Sequence, residues 1–568
     1  MKVFRLMSVD RIIFILMALV VCGIVILPLL YVFDASLHRE TDLGLSELRS
    51  LEAVYDVYLT WDYLLPLFNA LALALVVTVI SLSVGVIMAF LVVRTDIGAK
   101  KTLDMLIILP LFVSPFTGLI SWITLASAKT GLLNSALNSL FGWILDSRLV
   151  FINIWSYFGI VWVMFLFFCP FAYLFTVGVL SSMESSLEEA ARLSGATNRY
   201  TLFKITLPLS IPSILASGLL IFVLAAEMYT IPGMIGYPIG FTTLPWKVYQ
   251  DSTVFPVRMA HAAAGGTVLL WITLFGVWLQ RRVTRVSERF VTVSGKGFHG
   301  RLIPLGRAKW LAFVFIGAYI VSADVLTFGG LLLSSFIKYS SSIITVDLLT
   351  LKHYLEVFTM QSTVKAFWNT LFLAVLSGVA CVLGGFFISY LEVRQPKYAT
   401  KALALLAILP IAVPGLVYGI GLMWTALKTP LYGTIWVLLI AYVAKFLAYG
   451  VLVSRTGILQ IHSDLEQSAR VVGAGSIRTL SAITVPLIRL TLISTFVFVM
   501  LMSIKELSAS LLLYTERSQV LSVLTWHYMD AGHYQFAATV GVVQTVFMIG
   551  LVLGVRAIFR IKLEETMK

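Results

Sequence analysis

Two stretches of this 568-residue sequence carry similar side chains in the same order, 278 positions apart. The first reads Glu188-Glu189-Ala190-Ala191-Arg192-Leu193-Ser194-Gly195, then nine residues to Ile205, then Leu207-Pro208. The second reads Glu466-Gln467-Ser468-Ala469-Arg470-Val471-Val472-Gly473, then nine residues to Ile483, then Val485-Pro486. Acidic residues suit the first turn of a helix, where the macrodipole favours them. Small side chains follow on one face, and the glycine suits a left-handed C-terminal cap. A second short amphipathic stretch then leads to a proline, which the first turn of the next helix tolerates. An elbow of two helices with an alanine face is shaped to lie against another protein. Its chemistry is docking.

A second set of ionisable residues sits inside long apolar runs. Glu227, Lys505 and Glu506 are the most deeply placed. A charge at the centre of a membrane helix costs about 2.5–3.5 kcal/mol on insertion scales, so each one needs a reason. One reading places Glu227 and Glu506 beside a path for a hard cation or a polar solute. The other has Lys505 pairing with one of these carboxylates as a structural bridge. Asp324 and Lys445 are expected to meet buried partners. His261, His527 and His533 lack metal-ligand spacing and are expected to be solvated or to cap helices. No Ser/His/Asp or Cys/His set and no loop-borne carboxylate pair stands out, so neither a catalytic centre nor a metal site is expected. No G-x-x-x-x-G-K-[ST] occurs either, and Ser294-Gly295-Lys296-Gly297 has the wrong spacing for a phosphate-cradling loop.

The elements that must position these residues are membrane helices. The chain is 59% hydrophobic and 12% charged, against about 25% charged in soluble proteins. Its 41 Lys+Arg and 28 Asp+Glu give a net charge of +13, which reads as topology determination and not as nucleic-acid binding. Cys22, Cys169 and Cys381 lie in apolar runs and imply no disulfide framework. A span needs about 20 apolar residues, and twelve candidates meet that. Six lie near Ile12–Phe33, Leu67–Val93, Met105–Ala128, Val150–Val179, Pro212–Met234 and Met259–Gln280. Six more lie near Trp310–Phe336, Ala366–Leu391, Ala402–Leu427, Gly433–Ser454, Leu490–Tyr514 and Tyr534–Val555. The first is read as a retained helix and not as a cleaved signal.

Basic residues precede the first span (Lys2, Arg5, Arg11) and follow the second (Arg94, Lys100, Lys101) and the sixth (Arg281 to Lys309). The loop after the first span is acidic, from Asp34 to Asp62. The positive-inside rule then puts both termini and the 283–309 connector in the cytoplasm. Self-comparison shows a repeat. Asn69, Arg94 and Leu109-Pro110 recur as Asn369, Arg394 and Leu409-Pro410, 300 positions on. The offset then falls to 278, which a longer external stretch around Asn138–Asn153 explains. The fold class is therefore an all-α polytopic membrane protein of about twelve helices. Two parallel six-helix repeats are related by a pseudo-two-fold axis along the membrane normal. Pro110, Pro115, Pro410 and Pro414 break the third span of each repeat, as a hinge on a path or as a kink that shapes the bundle.

The paired stretches resemble the EAA coupling-loop signature of binding-protein-dependent type I ABC importer permeases. The first copy matches every consensus position. The second has Gln467 for a glutamate and Ser468 for an alanine. Gly131-Leu132-Leu133-Asn134 after the third span extends the likeness. Lys505-Glu506-Leu507-Ser508-Ala509-Ser510-Leu511-Leu512-Leu513 is similar to a stretch in the eleventh helix of the ferric-iron family, in which one polypeptide supplies both halves. The resemblance implies permease domains at 1–282 and 310–568, with coupling loops 184–212 and 462–490. It assigns ATPase coupling to Glu188, Glu189, Ala190, Ala191, Gly195, Pro208, Glu466, Gln467, Ala469, Gly473 and Pro486. It also implies two copies of a cytoplasmic ABC ATPase and a periplasmic or lipid-anchored binding protein. ATP and Mg would be used by those partners, with no cofactor on this chain, in a bacterial inner membrane. Ferric iron is the favoured substrate, with polyamines, thiamine, sulfate or phosphorylated organic solutes as alternatives. An ion-driven carrier would share twelve spans and a parallel repeat but would have no ATPase to dock. An integral-membrane enzyme would need clustered catalytic residues.

Overall fold

The computed structural model describes residues 9–41, 44–141, 150–183, 186–287 and 302–559. Lys2, Arg5, positions 142–149 of the stretch after the third span, and connector positions 288–301 lie outside these residues. Among the described residues, nine helices are long and apolar enough to cross a membrane, or twelve when each of three bent pairs counts as one span. The bent pairs are informative. Lys100–Phe112 meets Pro115–Ala126 at 98°, and Tyr398–Ala412 meets Gly415–Leu427 at 111°. The prolines that the sequence singles out stand at these bends. Pro110 and Pro410 lie in 3-10 turns, followed by extended Val113 and Val413. The third pair, Ile477–Leu487 and Arg489–Ile504, bends by 75° in the second half, whereas its counterpart Leu207–Ala226 runs on unbroken.

The sequence repeat reappears as repeated packing. Trp61–Arg94 and Gln361–Arg394, 34 residues each, are the second spans of the two halves. Each crosses the fourth span of its own half, Tyr157–Ser182 or Ile435–Leu459. Small residues make the crossing close. A Cβ on Gly85 would lie 2.7 Å from the Ala172 Cβ, and one on Gly450 would lie 2.1 Å from the Cys381 carbonyl oxygen. Asn69 donates to the Thr242 carbonyl at 2.9 Å, and Asn369 to those of Arg517 and Gln519 at 3.2 and 2.9 Å. The change of offset comes from the helix Leu132–Phe141, which has no counterpart between Leu427 and Ile435. Asn134 ties this insert down: its amide donates to the Ser127 and Ile152 carbonyls and accepts from the N–H groups of Phe151 and Ile152.

The first spans exchange places. The helix of residues 9–35, interrupted by a π-helical turn at Cys22–Ile26, packs against Gly415–Leu427 of the other half. A Cβ on Gly421 would meet the Pro28 carbonyl at 2.2 Å, and the Tyr418 hydroxyl donates to the Ile24 carbonyl. The seventh span, Ala308–Phe336, reciprocates on Pro115–Ala126, where Trp122 Nε1 donates to Thr327 at 3.1 Å and Thr124 to Ser334 at 3.0 Å. The only sheet among the described residues is a hairpin of His38–Thr41 and Gly44–Arg49 after the first span.

Candidate functional site

Each docking motif folds as a helix, a left-handed glycine and a second helix. Ser186–Leu193 ends at Gly195, φ +84°, and Ser463–Val471 ends before Gly473, φ +89°. Short helices and π-helical turns follow, and Pro208 and Pro486 stand in the first turn of the next helices. The motif acids divide by burial. Glu188 and Glu466 are buried, whereas Glu189 and Gln467 are exposed. Glu188 pairs with Arg94 at 3.3 Å and accepts from the Thr206 hydroxyl at 2.8 Å. Glu466 pairs with Arg394 through Nε and Nη2, both at 3.1 Å, and accepts from Thr484 at 3.0 Å. The first glutamate of each motif is thus an internal clamp to the end of the second span. What each loop presents outward is Glu189 or Gln467, Ala190 or Ser468, and Leu193 or Val471. Ala191 and Ala469 are half-buried.

The sequence alone missed Arg94, Arg394, Thr206 and Thr484. It read the arginines as topology charges at the ends of spans. The available signal was that all of them recur at the repeat offsets.

At mid-span the structure corrects two expectations. Leu207–Ala226 stops at Glu227 and Arg489–Ile504 stops at Lys505, so the fifth and eleventh spans are broken where the charges lie. A helix end leaves backbone groups in need of partners, and polar side chains at the break serve them. The position equivalent to Glu227 is Lys505, since both follow the last helical residue, 278 apart. Finally, Lys505 pairs with no carboxylate among the described residues. Its Nζ donates to the Leu111 carbonyl, 2.8 Å away, in the 3-10 turn of the other half. That carbonyl lies at the bend, which makes it available for a side-chain donor.

Lys445 is the cation that Glu506 uses, at 2.7 Å. The other oxygen of Glu506 accepts from the Ala509 N–H at 3.1 Å. The helix Gly415–Leu427 begins directly over the pair, with a Gly415 Cβ position 2.7 Å from Lys445 Nζ. Half-buried Glu227 lies within electrostatic reach of both Lys445 and Glu506. The expected partner of Lys445 is therefore present. For Asp324 it is not: neither carboxylate oxygen has a hydrogen-bond partner among the described residues. Its π-helical turn packs on Leu109–Phe112, Pro115–Ala126 and Tyr157–Ser182, none of which contains a lysine or arginine.

His261 is neither solvated nor a cap. It is buried between Glu40, 2.7 Å from Nδ1, and Asp56, 3.0 Å from Nε2, with Arg258 beside them. Burial acts against the Glu40 carboxylate, but His261 and the N–H groups of Ala260 and His261 outweigh it and hold the group below the usual carboxylate range. No group of His, Cys, Asp and Glu suited to a metal ion occurs among the described residues.

Residues 81–286 and again 381–562 match the family model described as binding-protein-dependent transport system inner membrane component. The chain belongs to this family. It is a multi-pass inner-membrane permease of the type I ABC importers, whose members work with an ATPase and a substrate-binding protein. Among its relatives is the ferric transport system permease protein FbpB of Actinobacillus pleuropneumoniae. That protein is 26% identical over 496 residues, 85% of this chain and 70% of the relative. The Fe(3+)-transport system permease protein FbpB 2 of Haemophilus influenzae is 25% identical over 530 residues, 92% and 93% of the two chains. A putative 2-aminoethylphosphonate transport system permease protein, PhnV of Salmonella typhi, is 28% identical over 156 residues, 27% of this chain and 59% of that one. A crystal structure of a bacterial alginate ABC transporter, in complex with a periplasmic protein bound to alginate pentasaccharide, aligns with a TM-score of 0.36 at 20% identity. It covers 45% of this chain and 96% of that one.

Proposed function

We propose that this chain forms the translocation path of an ATP-driven importer for ferric iron, delivered by an external binding protein. One observation carries the importer mechanism: two loops built alike, each clamped through a buried glutamate and each turning its next side chains outward. Each loop receives one copy of a cytoplasmic ABC ATPase, so two copies dock. ATP and Mg stay with those subunits, and this chain contributes no catalytic residue and no cofactor. The domains are 1–282 and 310–568, joined by a cytoplasmic connector at 283–309.

Iron as substrate is supported by relatives named for ferric transport that align over most of the chain. Glu227 and Glu506, with Lys505 and Lys445, line the path at the two breaks. Carboxylate oxygens suit a hard cation, and Lys445, paired with Glu506, balances their charge until the cation arrives. The test is uptake into proteoliposomes holding the full chain, its ATPase and its binding protein. ATP-dependent entry of radiolabelled ferric iron is expected. Uptake of 2-aminoethylphosphonate, a polyamine, thiamine or sulfate with none of iron would replace the substrate. Uptake driven by an ion gradient without ATP would replace the mechanism. Both termini lie in the cytoplasm in this reading. A Glu466→Cys chain should then stay unlabelled from outside in sealed right-side-out vesicles.

A further inference from the structure

We infer that two short helices outside the spans, Glu52–Leu59 and Lys352–Thr359, lie flat on the membrane. Each sets an apolar face into the lipid headgroup boundary of the leaflet away from the motif loops. The side of the membrane follows from the second spans. Each runs about 50 Å at 1.5 Å per residue, from the short helix at one end to the arginine clamp of the motif loop at the other.

The two helices share one design. Over the ten positions 51–60 and 351–360 the order of exposed, half-buried and buried residues is identical. Ala53 and Val57 face inward in one, His353 and Val357 in the other. The inner faces pack on the sixth span, Met259–Ser287, and on the twelfth, Tyr534–Phe559. Outward, Leu51, Tyr55 and Leu59 in one helix, and Leu351, Leu355 and Phe358 in the other, are between 60% and 68% exposed. On a helix, residues three or four apart share a face, so each set forms one apolar stripe. Its charges stay at the edge or turn away. Lys352 pairs with Glu356 at 3.3 Å, and Asp56 turns in to His261.

Three observations select lipid as the occupant. The extended residues Thr60 and Met360 swing each helix off the axis of the span that follows. The apolar stripe continues directly onto the outward faces of those spans, through Trp61 and Phe68 in one half and Val364 and Trp368 in the other. Tyrosine and tryptophan concentrate where this stripe leaves the span, at the depth where such rings anchor. A protein partner on one side of the complex would have no reason to meet both halves identically, whereas a bilayer surrounds both. An exposed helix with an apolar face and charged edges is the form that lies in a membrane interface.

The experiment uses the full-length chain with Cys22, its one exposed cysteine, replaced by serine, in nanodiscs of phosphatidylcholine and phosphatidylglycerol without partner proteins. Single spin labels are placed through Tyr55→Cys and Leu355→Cys, with Glu47→Cys as an aqueous reference. Both test labels should favour oxygen over a nickel chelate as relaxing agent and report a depth of about 5–10 Å in the headgroup and acyl boundary. The label at position 47 should do the reverse. Leu59→Cys and Leu351→Cys repeat the measurement on the same faces, so that one variant that fails to fold does not decide the result. Nickel access at 55 and 355 equal to that at 47 overturns the inference. So does protection that arises only when the binding protein is added, which would give the face to that protein.

Discussion

The two motif loops match in their anchoring chemistry, whereas the two mid-span breaks match in position only. Arg94, Glu188 and Thr206 recur as Arg394, Glu466 and Thr484 with the same contacts. At the breaks the same offset of 278 sets Glu227 against Lys505, Met228 against Glu506 and Phe167 against Lys445. The first half carries one acid there, the second a lysine pair and an acid. The formal sum is zero. On the proposed reading each loop seats an ATPase, and what is repeated is the anchor that fixes the loop's shape, while the outward residues differ at Glu189 and Gln467 and at Ala190 and Ser468. If the breaks form the proposed path, one solute at a time meets both halves at once, and the charges are free to divide between them.

The strongest way to break this comparison is to remove one clamp at a time. Glu188→Ala strands buried Arg94 and Glu466→Ala strands half-buried Arg394, each at a typical cost of about 3–5 kcal/mol. Thermal unfolding of the purified chain should show equal losses, and both variants should release the ATPase. A loop that tolerates the change would end the equivalence. Lys445→Met should come next. It strands Glu506, but by less than the clamp variants, because that carboxylate keeps the N–H of Ala509 as a partner. Adding Glu506→Gln should restore assembly, since the first half already uses Phe167 and Met228 at these positions. Failure of the double variant to assemble would mean that the pair holds more than itself.

Smaller effects sharpen the comparison. Gly195→Ala and Gly473→Ala place a Cβ in the left-handed region, at about 1–2 kcal/mol each. No atom lies within 4 Å of either Cβ position, so the loss should be strain alone and alike in both halves. Circular dichroism melts of the two variants would show it. Glu189→Ala against Gln467→Ala is the last and smallest. Both positions are exposed and only one is charged, so ATP hydrolysis coupled to transport should fall more for Glu189→Ala. The difference should be at most about fivefold, the scale of an exposed ion pair. Equal losses would show that the charge of Glu189 is not read by the ATPase.

Much of this architecture was legible in the sequence, and the gaps have physical causes. Spans declare themselves through length and apolarity, and the repeat through Asn69, Arg94 and Leu109-Pro110 with their partners 300 residues on. The motif glycines were legible because few residues other than glycine fit φ near +84° and +89°. The break at Glu227 left a trace in Pro232-Gly233 a few residues on. That at Lys505 left none, since no proline or glycine lies between Leu490 and Tyr514. Which acid each cation meets was not legible. Lys445 is 61 positions from Glu506, and Lys505 is 394 from Leu111. The exchange of first spans was hidden for another reason: Leu, Val and Ile that face lipid read the same as those that face a neighbouring helix.

That exchange has a consequence for biogenesis. Ile24 emerges from the ribosome 394 residues before Tyr418, the hydroxyl that its carbonyl accepts from. At about 5–20 residues per second, the first helix waits roughly 20–80 s in the bilayer before its seat on the other half exists. Until the sixth span, Met259–Ser287, arrives to pack on Leu27–Ala35, it must survive as a solitary insert. Its composition suits the wait: between Arg11 and Asp34 the chain carries no charged residue. The seventh helix faces the opposite situation, because Trp122 and Thr124 are already in place when it arrives. Maturation is therefore ordered, with one seat filled at mid-synthesis and the other left open until the third span of the second half closes it.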